Sequence, residues 1–520
     1  MEADKTGISE DWLSLWLGLF IFVLSLFVFG GADILGWGIS NSVWTDVTKS
    51  MSPVSKSYAP LKGEITRLDG QKVTLKKADG KEETITVADA PALKVGDWYE
   101  KPGVSGFLSL VLTYIFMLVV MTVGAAALRA NIPKFIIGFT IVFWLSYLCW
   151  LLGHFAYIAA TNAKKAGVPW SLRLTGEAGF IVALVAGLLV GNFFPKLAQT
   201  LKEAVRPELY IKTAIVLMGA LLGVKAAESF GLATAVMFRG LCAIIEAYLI
   251  YWALVYFVSR RFFHFSKEWS ACLASGISVC GVSAAIATGG AIKARPVVPA
   301  MIASLVVIFA VVELIILPGF ATEILHNQPM VAGAWMGLAV KTDGAAVASG
   351  AITDALIRGR AAAEGINWQE GWMLMAATTT KLFIDMFIGI WAFVLAVIWT
   401  TVIDRKPGEK VAGASEIWNR FPKFVIGYFL TFLIMLGIGL AFPGLMKQAT
   451  AATGEIDVFR VIFFVLTFLS IGLVSDFKQL WAEGIGKMAV VYLVCLFGFI
   501  LWIGLAISFI FFHGLTPPVG

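Results

Sequence analysis

The stretch Gly337-Leu-Ala-Val-Lys341-Thr342-Asp343-Gly344-Ala-Ala-Val-Ala-Ser349-Gly350 decides how this chain is read. It follows Val331-Ala-Gly-Ala-Trp-Met and sits deep in an apolar region, yet a lysine and an aspartate stand at its centre. In water such a segment is a surface turn. In lipid, a charge at the bilayer centre costs roughly 2.5–3.5 kcal/mol and must be compensated. The first question is therefore which solvent the chain occupies.

Composition answers it. Hydrophobic residues make up 59% of 520 residues, charged residues only 14%, and mean hydropathy is +0.85. Soluble domains carry about 25% charged residues. Apolar runs of about 20 residues recur along the chain, the signature of a polytopic helical membrane protein. We place thirteen candidate spans at about 11–38, 105–128, 133–160, 175–195, 207–226, 232–259, 269–293, 297–325, 331–357, 370–403, 421–443, 457–476 and 484–513. The first, Trp12 to Trp37, is too long for a signal-peptide core and lacks a small-residue cleavage site, so it reads as a retained helix.

The net charge of +6 shows no basic cluster that would suggest nucleic acid. Cys149, Cys242, Cys272, Cys280 and Cys495 all lie in apolar runs without a CxxC pair, and the four histidines are scattered, so neither a disulfide framework nor a zinc site is indicated. There is no P-loop and no HExxH or Ser/His pairing. An ATPase and an enzyme are thus disfavoured, no cofactor is called for, and transport would be secondary, channel-like or driven by another subunit.

One segment is different. Residues 39–104 alternate polar and apolar in Leu61–Leu68, Lys72–Lys76 and Glu83–Val87, with Asp69-Gly70 and Asp79-Gly80 between them and Val95-Gly-Asp-Trp-Tyr at the end. Alternation with Asp-Gly turns predicts hairpins, hence a small barrel or curled sheet of four or five strands outside the bilayer. The organisation is then an N-terminal helix (1–38), a β-rich insert (39–104), additional helices (105–174) and a core (175–513). Lys and Arg collect on the side holding the N-terminus, with clusters at Lys196/Lys202/Arg206, Arg260/Arg261/Lys267 and Arg405/Lys406/Lys410/Arg420, which favours a cytoplasmic N-terminus and an external insert. Ile211–Gly223 echoes Phe463–Leu473 seven spans later, the odd spacing expected of inverted repeats. Pro133-Lys-Phe-Ile-Ile-Gly-Phe and Pro422-Lys-Phe-Val-Ile-Gly-Tyr read instead as a shared way of starting a helix at the interface.

Three segments break the rules for lipid-facing helices. The first carries Ser275, Gly276, Ser278, Cys280, Gly281, Ser283, Thr288 and Gly289-Gly290. Glycines ease unwinding, and an unwound half-helix presents N–H groups to an anion; a small-residue packing face is the plainer alternative. The second is the opening stretch. Lys341 and Asp343 point about 200° apart on an intact helix and would meet only if it breaks, which we place at Gly344; a re-entrant loop or span end is the alternative. The third is Thr378-Thr379-Thr380-Lys381 with Asp385, where Lys381 and Asp385 share a helix face as a structural pair or a switch; Asp385 pairing with Lys341 is the other option. Glu246 and Glu313 lie in apolar runs and are either proton carriers or carboxyls held by neighbouring hydroxyls. Cys280 reads as a small packing residue rather than a nucleophile, since no base is nearby.

In order, Ser278-Val-Cys280-Gly281-Val-Ser283-Ala, Gly333-Ala-Trp-Met-Gly337 leading to Val347-Ala-Ser-Gly350, Thr380-Lys381-Leu382 and Ile471-Gly-Leu-Val-Ser475-Asp476 resemble the YeiH-type family of sulfate exporters over about 175–513. The resemblance implies a bacterial inner-membrane transporter of the cation/proton antiporter and anion transporter clan, with inverted repeats and crossed, interrupted helices. The chain departs from that pattern where a His-Asp pair is usual and Lys341-Thr342 stand, with Asp343 one place on, and where Arg is usual and Ile384 stands.

The expectation is a secondary transporter of a small anion: sulfate, sulfite, or an organic sulfonate or carboxylate. Ser275, Ser278, Cys280, Gly281, Ser283, Lys341, Thr342, Thr379, Thr380 and Lys381 would bind substrate between the seventh and ninth spans. Asp343, Asp385, Glu246 and Glu313 would carry H+ or Na+. Beyond its anionic substrate and the lipid bilayer, a homo-oligomer is compatible with this reading and nucleic acid is not. A proton- or sodium-coupled importer and a non-transporting sensor or assembly protein with the insert as recognition module are the alternatives.

Overall fold

A computed structural model describes residues 8–519, apart from 70–71, 77–81, 87–93, 102, 161–162, 173–175, 177, 296, 404–417, 419–421 and 475–485. Each of the thirteen expected segments contains helix among its described residues, though some end early and others are interrupted. Nine helices among them are long and apolar enough to cross a membrane: Glu10–Gly30, Gly106–Ala127, Ile132–Gly153, Pro207–Glu228, Phe230–Arg261, Trp372–Ile403, Lys423–Ala441, Pro443–Val474 and Gly486–Phe512. A tenth is formed if Ala178–Phe193 and Pro195–Leu201, bent by 114°, make one span. The other three expected spans are α13 (Val297–Leu325), which carries Pro318 inside it, and two interrupted segments that build the site.

The first helix, α1 (Glu10–Ser25), is shorter than expected. Ser9 caps it by accepting from Trp12 N–H, and a short 3-10 turn runs on to Gly30, where Gly31 adopts φ +81° and ends it. The chain therefore leaves the span before residue 38. It passes through β1 (Ile39–Asn41), paired with β2 (Met51–Pro53), and this part is tied down on α2 (Gly106–Ala127) and α3 (Ile132–Gly153). Ile39 N–H donates to Thr113 Oγ1 at 3.0 Å, and Trp44 Nε1–H donates to Leu151 O at 2.8 Å.

Beyond it the insert is a four-stranded antiparallel sheet in the order β5-β4-β3-β6, with β3 at Leu61–Asp69, β4 at Lys72–Lys76, β5 at Glu82–Thr86 and β6 at Trp98–Lys101. The pairing of Asp69 with Lys72 shows the first expected reversal; Gly70 and the Asp79-Gly80 turn lie outside the described residues. Alternation does what it should: Leu61, Ile65, Val73 and Leu75 turn inward to a small core.

The spans Pro207–Glu228 and Pro443–Val474 are the most buried of the nine. Nearly every side chain of α7 (Pro207–Glu228) is buried, against α1, α18 (Lys423–Ala441) and α19 (Met446–Val474). Gly219 and Gly223 permit the contact with α18, since a Cβ would meet Tyr428 O at 2.3 Å and Phe432 O at 2.4 Å. Small-residue seams of this kind recur because lipid supplies no hydrophobic drive between helices, so contact depends on close packing. The tie between α15 (Asp343–Ala363) and α16 (Trp372–Met386) is polar instead. The buried Asp354 carboxylate accepts from Gly371 and Met373 N–H and from Arg358 Nε–H, satisfying donors at the start of α16.

Candidate functional site

Two helical segments are broken, and their breaks touch. The first runs through α11 (Lys267–Ser275) and a π-helical turn, Gly276–Cys280, into α12 (Gly281–Ala291). Cys280 is extended there, with φ −137° and ψ 90°. The second runs through α14 (Pro329–Ala339), leaves helical geometry at Val340, and resumes as α15 with Thr342 as its cap. Gly281 N–H donates to Lys341 O at 2.6 Å, joining the two unwound points. Gly281 is needed for this approach, because a Cβ would lie 2.4 Å from Val306 Cγ1 and 3.1 Å from Lys341 O.

The break therefore falls at Val340–Thr342, before Asp343, and not at Gly344. The cause is local: the Thr342 hydroxyl accepts Ala345 N–H at 3.2 Å and starts a new helix with Asp343 in its first turn, where a carboxylate suits the positive helix end. Gly344 is an ordinary helical residue with space around it; the nearest atoms to an added Cβ are 3.6 Å away.

The orphan groups at the breaks find partners. Glu313 of α13 accepts Lys341 N–H at 3.0 Å through one oxygen and the Tyr492 hydroxyl at 2.9 Å through the other. Glu313 thus sits in the held-carboxyl arrangement. Lys341 itself is buried; its ammonium donates to Leu338 O, at the end of α14, and lies 4.4 Å from the centre of the Tyr251 ring.

The charged cluster lies beside the crossing. Lys381, on α16, donates to Val279 O at 2.6 Å, and its Nζ stands 3.7 Å from Asp343 Oδ1 and 3.9 Å from Asp385 Oδ1. Cys280 donates its thiol to Asp343 Oδ1. Ligand atoms of Cys280, Asp343 and Asp385 all lie within 4.8 Å of one another. All four side chains are buried. Neither oxygen of Asp385 receives a hydrogen bond among the described residues. Two carboxylates face one ammonium, so the group carries a net negative charge unless a proton or a small cation joins it. An uncompensated charge in such a place costs several kcal/mol, which makes the cluster a natural cation or proton position.

Asp385 pairs with Lys381, its neighbour one turn away, rather than with Lys341. The two lysines serve different carboxyls. Lys341 lies in the field of Glu246 and Glu313, and Lys381 in that of Asp343 and Asp385. Glu246 starts a π-helical turn, Glu246–Tyr251, and neither of its oxygens has a donor directed at it among the described residues; the adjacent Tyr251 hydroxyl donates to Ile500 O at 2.8 Å. Gly504 leaves room for this pair, since a Cβ would meet Tyr251 Oη at 2.6 Å and Glu246 Oε1 at 3.2 Å.

The expected hydroxyls divide. Ser275 accepts from Trp252 Nε1–H and Thr288 Oγ1–H, a tie within its own helix bundle. Thr380 donates back to Ala376 O and Ala377 O, and its Oγ1 lies 2.0 Å from where a Cβ of Gly337 would be, so it marks the α14–α16 seam. Thr379 faces Met237. Ser278 is buried with its hydroxyl unpartnered among the described residues, while the side chain of Ser283, like Ser475 and Asp476, lies outside them.

The participants that sequence reading did not single out are Tyr251, Tyr492 and Tyr248, whose hydroxyl donates to Ile384 O at 2.6 Å next to Asp385. Their signal was a tyrosine in an apolar span, since a buried hydroxyl requires a partner. Thr342, Gly344 and Ala345 also line a cavity of about 90 Å³ that reaches Glu208 at the start of α7.

Comparisons with known proteins agree on kinship. Residues 172–491 match the family described as Conserved hypothetical protein 698. The chain is 41% identical over 518 residues to a UPF0324 membrane protein of Nitrosomonas europaea, covering 98% of this chain and 97% of the relative. A UPF0324 membrane protein of Nitratidesulfovibrio vulgaris is 29% identical over 426 residues, covering 79% of this chain and 65% of its own length. An uncharacterized protein of Archaeoglobus fulgidus is 54% identical over 164 residues, 28% of this chain and 87% of that one. No solved structure matches. Conserved family coverage, a relative matched end to end and a multi-pass helical body place the chain in the UPF0324 family of membrane proteins.

Proposed function

We propose that this protein is a secondary transporter of a small anion, coupled to a proton or sodium ion, and not an enzyme. The observation that carries the proposal is the crossing itself. Two interrupted helices are bonded at their breaks, Gly281 N–H to Lys341 O, beside a buried Lys381 shared between Asp343 and Asp385. Irregular backbone at membrane depth is tolerated where it is enclosed in protein or lines a pathway, and buried ionisable groups there mark ion routes. A sensor or assembly protein has no use for a fully buried Asp385 that receives no hydrogen bond among the described residues and shares its one lysine with Asp343.

In this reading the coupling ion binds at Asp343 and Asp385, and its arrival frees Lys381 to meet the anion. Around the crossing the four carboxyls of Glu246, Glu313, Asp343 and Asp385 outnumber the two lysines, Lys341 and Lys381, so the cation half of the cycle rests on this chain's own residues. The anion half, with sulfate, sulfite or an organic sulfonate or carboxylate as substrate, rests on the YeiH-type resemblance. Thirteen crossings, inverted repeats relating the segments of α7 and α19, a bacterial inner-membrane location and a cytoplasmic N-terminus complete the proposal.

The test is transport by purified protein in proteoliposomes, with sulfate, sulfite and an alkanesulfonate as probes under imposed pH and sodium gradients. Lys381→Ala and Asp385→Asn should each abolish movement while leaving folded protein. Normal transport in both variants would remove this site from the mechanism. A failure of the wild type to move any of the three would remove the substrate class.

A further inference from the structure

The cavity beside the crossing has a polar end that is tied, through Lys212, to a helix outside the family-matched region. It extends from Glu208 and Ile211, in the first turns of α7, past Ile471 to Thr342, Gly344 and Ala345, in the first turn of α15. Its volume of about 90 Å³ holds several waters, because one water needs only about 10–15 Å³ on the same measure. Asp343, beside Thr342 and Gly344, is within electrostatic range of both Glu208 and Lys212.

Lys212 ties that end together. Its Nζ lies 3.4 Å from Glu208 Oε2 and 2.8 Å from Asp11 Oδ1. Asp11 belongs to the first turn of α1, and its neighbour Glu10 pairs with Arg206 Nη1 at 2.8 Å. The family match begins at residue 172, so α1 lies outside it. Still, α1 packs along α7 and α18 as an integral part of the bundle. Lys212 is buried, while its two carboxylate partners reach water: Asp11 is 30% exposed and Glu208 34%. Such a pair is weak enough to open and dry enough to matter.

We infer that this cavity is the solute's access path to the crossing from the side holding the N-terminus, and that Glu208 is its gate residue. Lys212 holds Glu208, and Asp11 of α1 positions Lys212. A small anion entering the cavity competes with Glu208 and Asp11 for Lys212. Removing Asp11 unties α1 from Lys212 and so loosens the end of the path. The gate's purpose rests on the transport reading; the accessibility of the cavity does not.

The experiment is cysteine accessibility. Ala345→Cys and Ile471→Cys line the cavity, and the five native cysteines are all buried, so the wild type gives the background. The probe is the impermeant trimethylammonium-ethyl methanethiosulfonate, applied to right-side-out and to inside-out membrane vesicles. Both cysteines should react from the N-terminal side alone. Adding Asp11→Asn should raise the rate about two- to fivefold, the scale of one partly exposed ion pair. Full labelling after denaturation and an unchanged melting temperature keep a folding defect apart. Cysteines that stay unreactive from that side, or rates that Asp11→Asn leaves unchanged, would overturn the gate. If labelling behaves as expected in protein that moves no anion, the transport reading fails and the gate stands. If the cavity is closed in protein that transports, the gate alone fails.

Discussion

Gly281 donates its backbone N–H to the carbonyl oxygen of Lys341 across 2.6 Å, a direct backbone bond between the two helix breaks. It joins residues sixty positions apart in two segments that are otherwise separate helices. It also fixes the carbonyl end of Val340–Thr342 while Glu313 holds the N–H of Lys341. Both backbone groups of Lys341 are thus hydrogen-bonded within the protein, as a membrane interior requires.

Gly281→Ala should damage this contact by crowding. An added Cβ would lie 2.4 Å from Val306 Cγ1, a side chain packed against the crossing. Overpacking of this kind costs about 1–3 kcal/mol. The expected outcome in detergent is a melting temperature several degrees below wild type. A variant as stable as wild type would mean that the two breaks do not approach so closely.

Glu313 makes a finer prediction because its role is to accept. Glu313→Gln keeps the side-chain carbonyl for one donor and should be tolerated with a small loss. Glu313→Leu strands both Lys341 N–H and the Tyr492 hydroxyl, at about 1–3 kcal/mol for each unsatisfied group. Thermal unfolding of the pair measures the difference. If Gln and Leu are equally harmful, a charge at this position matters and the acceptor role is not its function.

Gly337 and Gly344 separate two meanings of glycine in the same stretch. At Gly337 a Cβ would stand 2.0 Å from Thr380 Oγ1 and 2.3 Å from Ala377 O, so Gly337→Ala should part α14 from α16 and lose about 1–3 kcal/mol. At Gly344 the nearest atoms are 3.6 Å away, so Gly344→Ala should fold with a stability within about 0.5 kcal/mol of wild type. Melting temperatures in the reverse order would contradict the placement of the break at Val340–Thr342.

That contrast shows what the sequence carried and what it withheld. Apolar runs fixed the helical class, and polar alternation with Asp-Gly turns marked the sheet of the insert. Both are local signals, and helices and strands among the described residues lie in the stretches that carry them. The charges of Lys341, Asp343, Lys381 and Asp385 stood out because lipid makes a charge expensive. Their partners did not, because pairing across the crossing joins residues from 280, 343 and 381 that no periodicity relates. The break was misplaced for the same reason. A glycine next to a charge looked like the weak point, whereas the cap formed by Thr342 and the bond from Gly281 decide it. Glu208, Lys212 and Asp11 look like ordinary interface charges until α1 is laid along α7.

His154 gives a pH-dependent prediction at the end of α3, beyond the last residue of that span. Burial holds its imidazole below the usual histidine range, opposed by the Trp150 carbonyl, which lies 2.9 Å from Nδ1. The folded state therefore binds its proton less readily than the unfolded state. Stability from this group is present above the unfolded value of about 6.5 and is lost as pH falls from there through the folded value. The wild type should melt at a progressively lower temperature as pH falls below that point, and His154→Gln should flatten the slope. Equal slopes would assign the acid sensitivity to other groups.

Asp385→Asn tests the central cluster by stability as well as transport. Neither Asp385 oxygen accepts a fixed donor among the described residues, and its only cation, Lys381 at 3.9 Å, is nearer to Asp343 at 3.7 Å. Replacing the carboxyl by an amide leaves one carboxylate facing one ammonium, so the buried charges balance. The amide can also donate to Asp343. Relief of a poorly satisfied buried charge is worth about 1–3 kcal/mol, so Asp385→Asn should melt at a higher temperature than wild type while losing coupled transport. Functional residues are often those whose removal stabilises the fold, because the protein holds them ready for a partner rather than for itself. A variant that melts lower would show that Asp385 is held by the fold and does not await an ion.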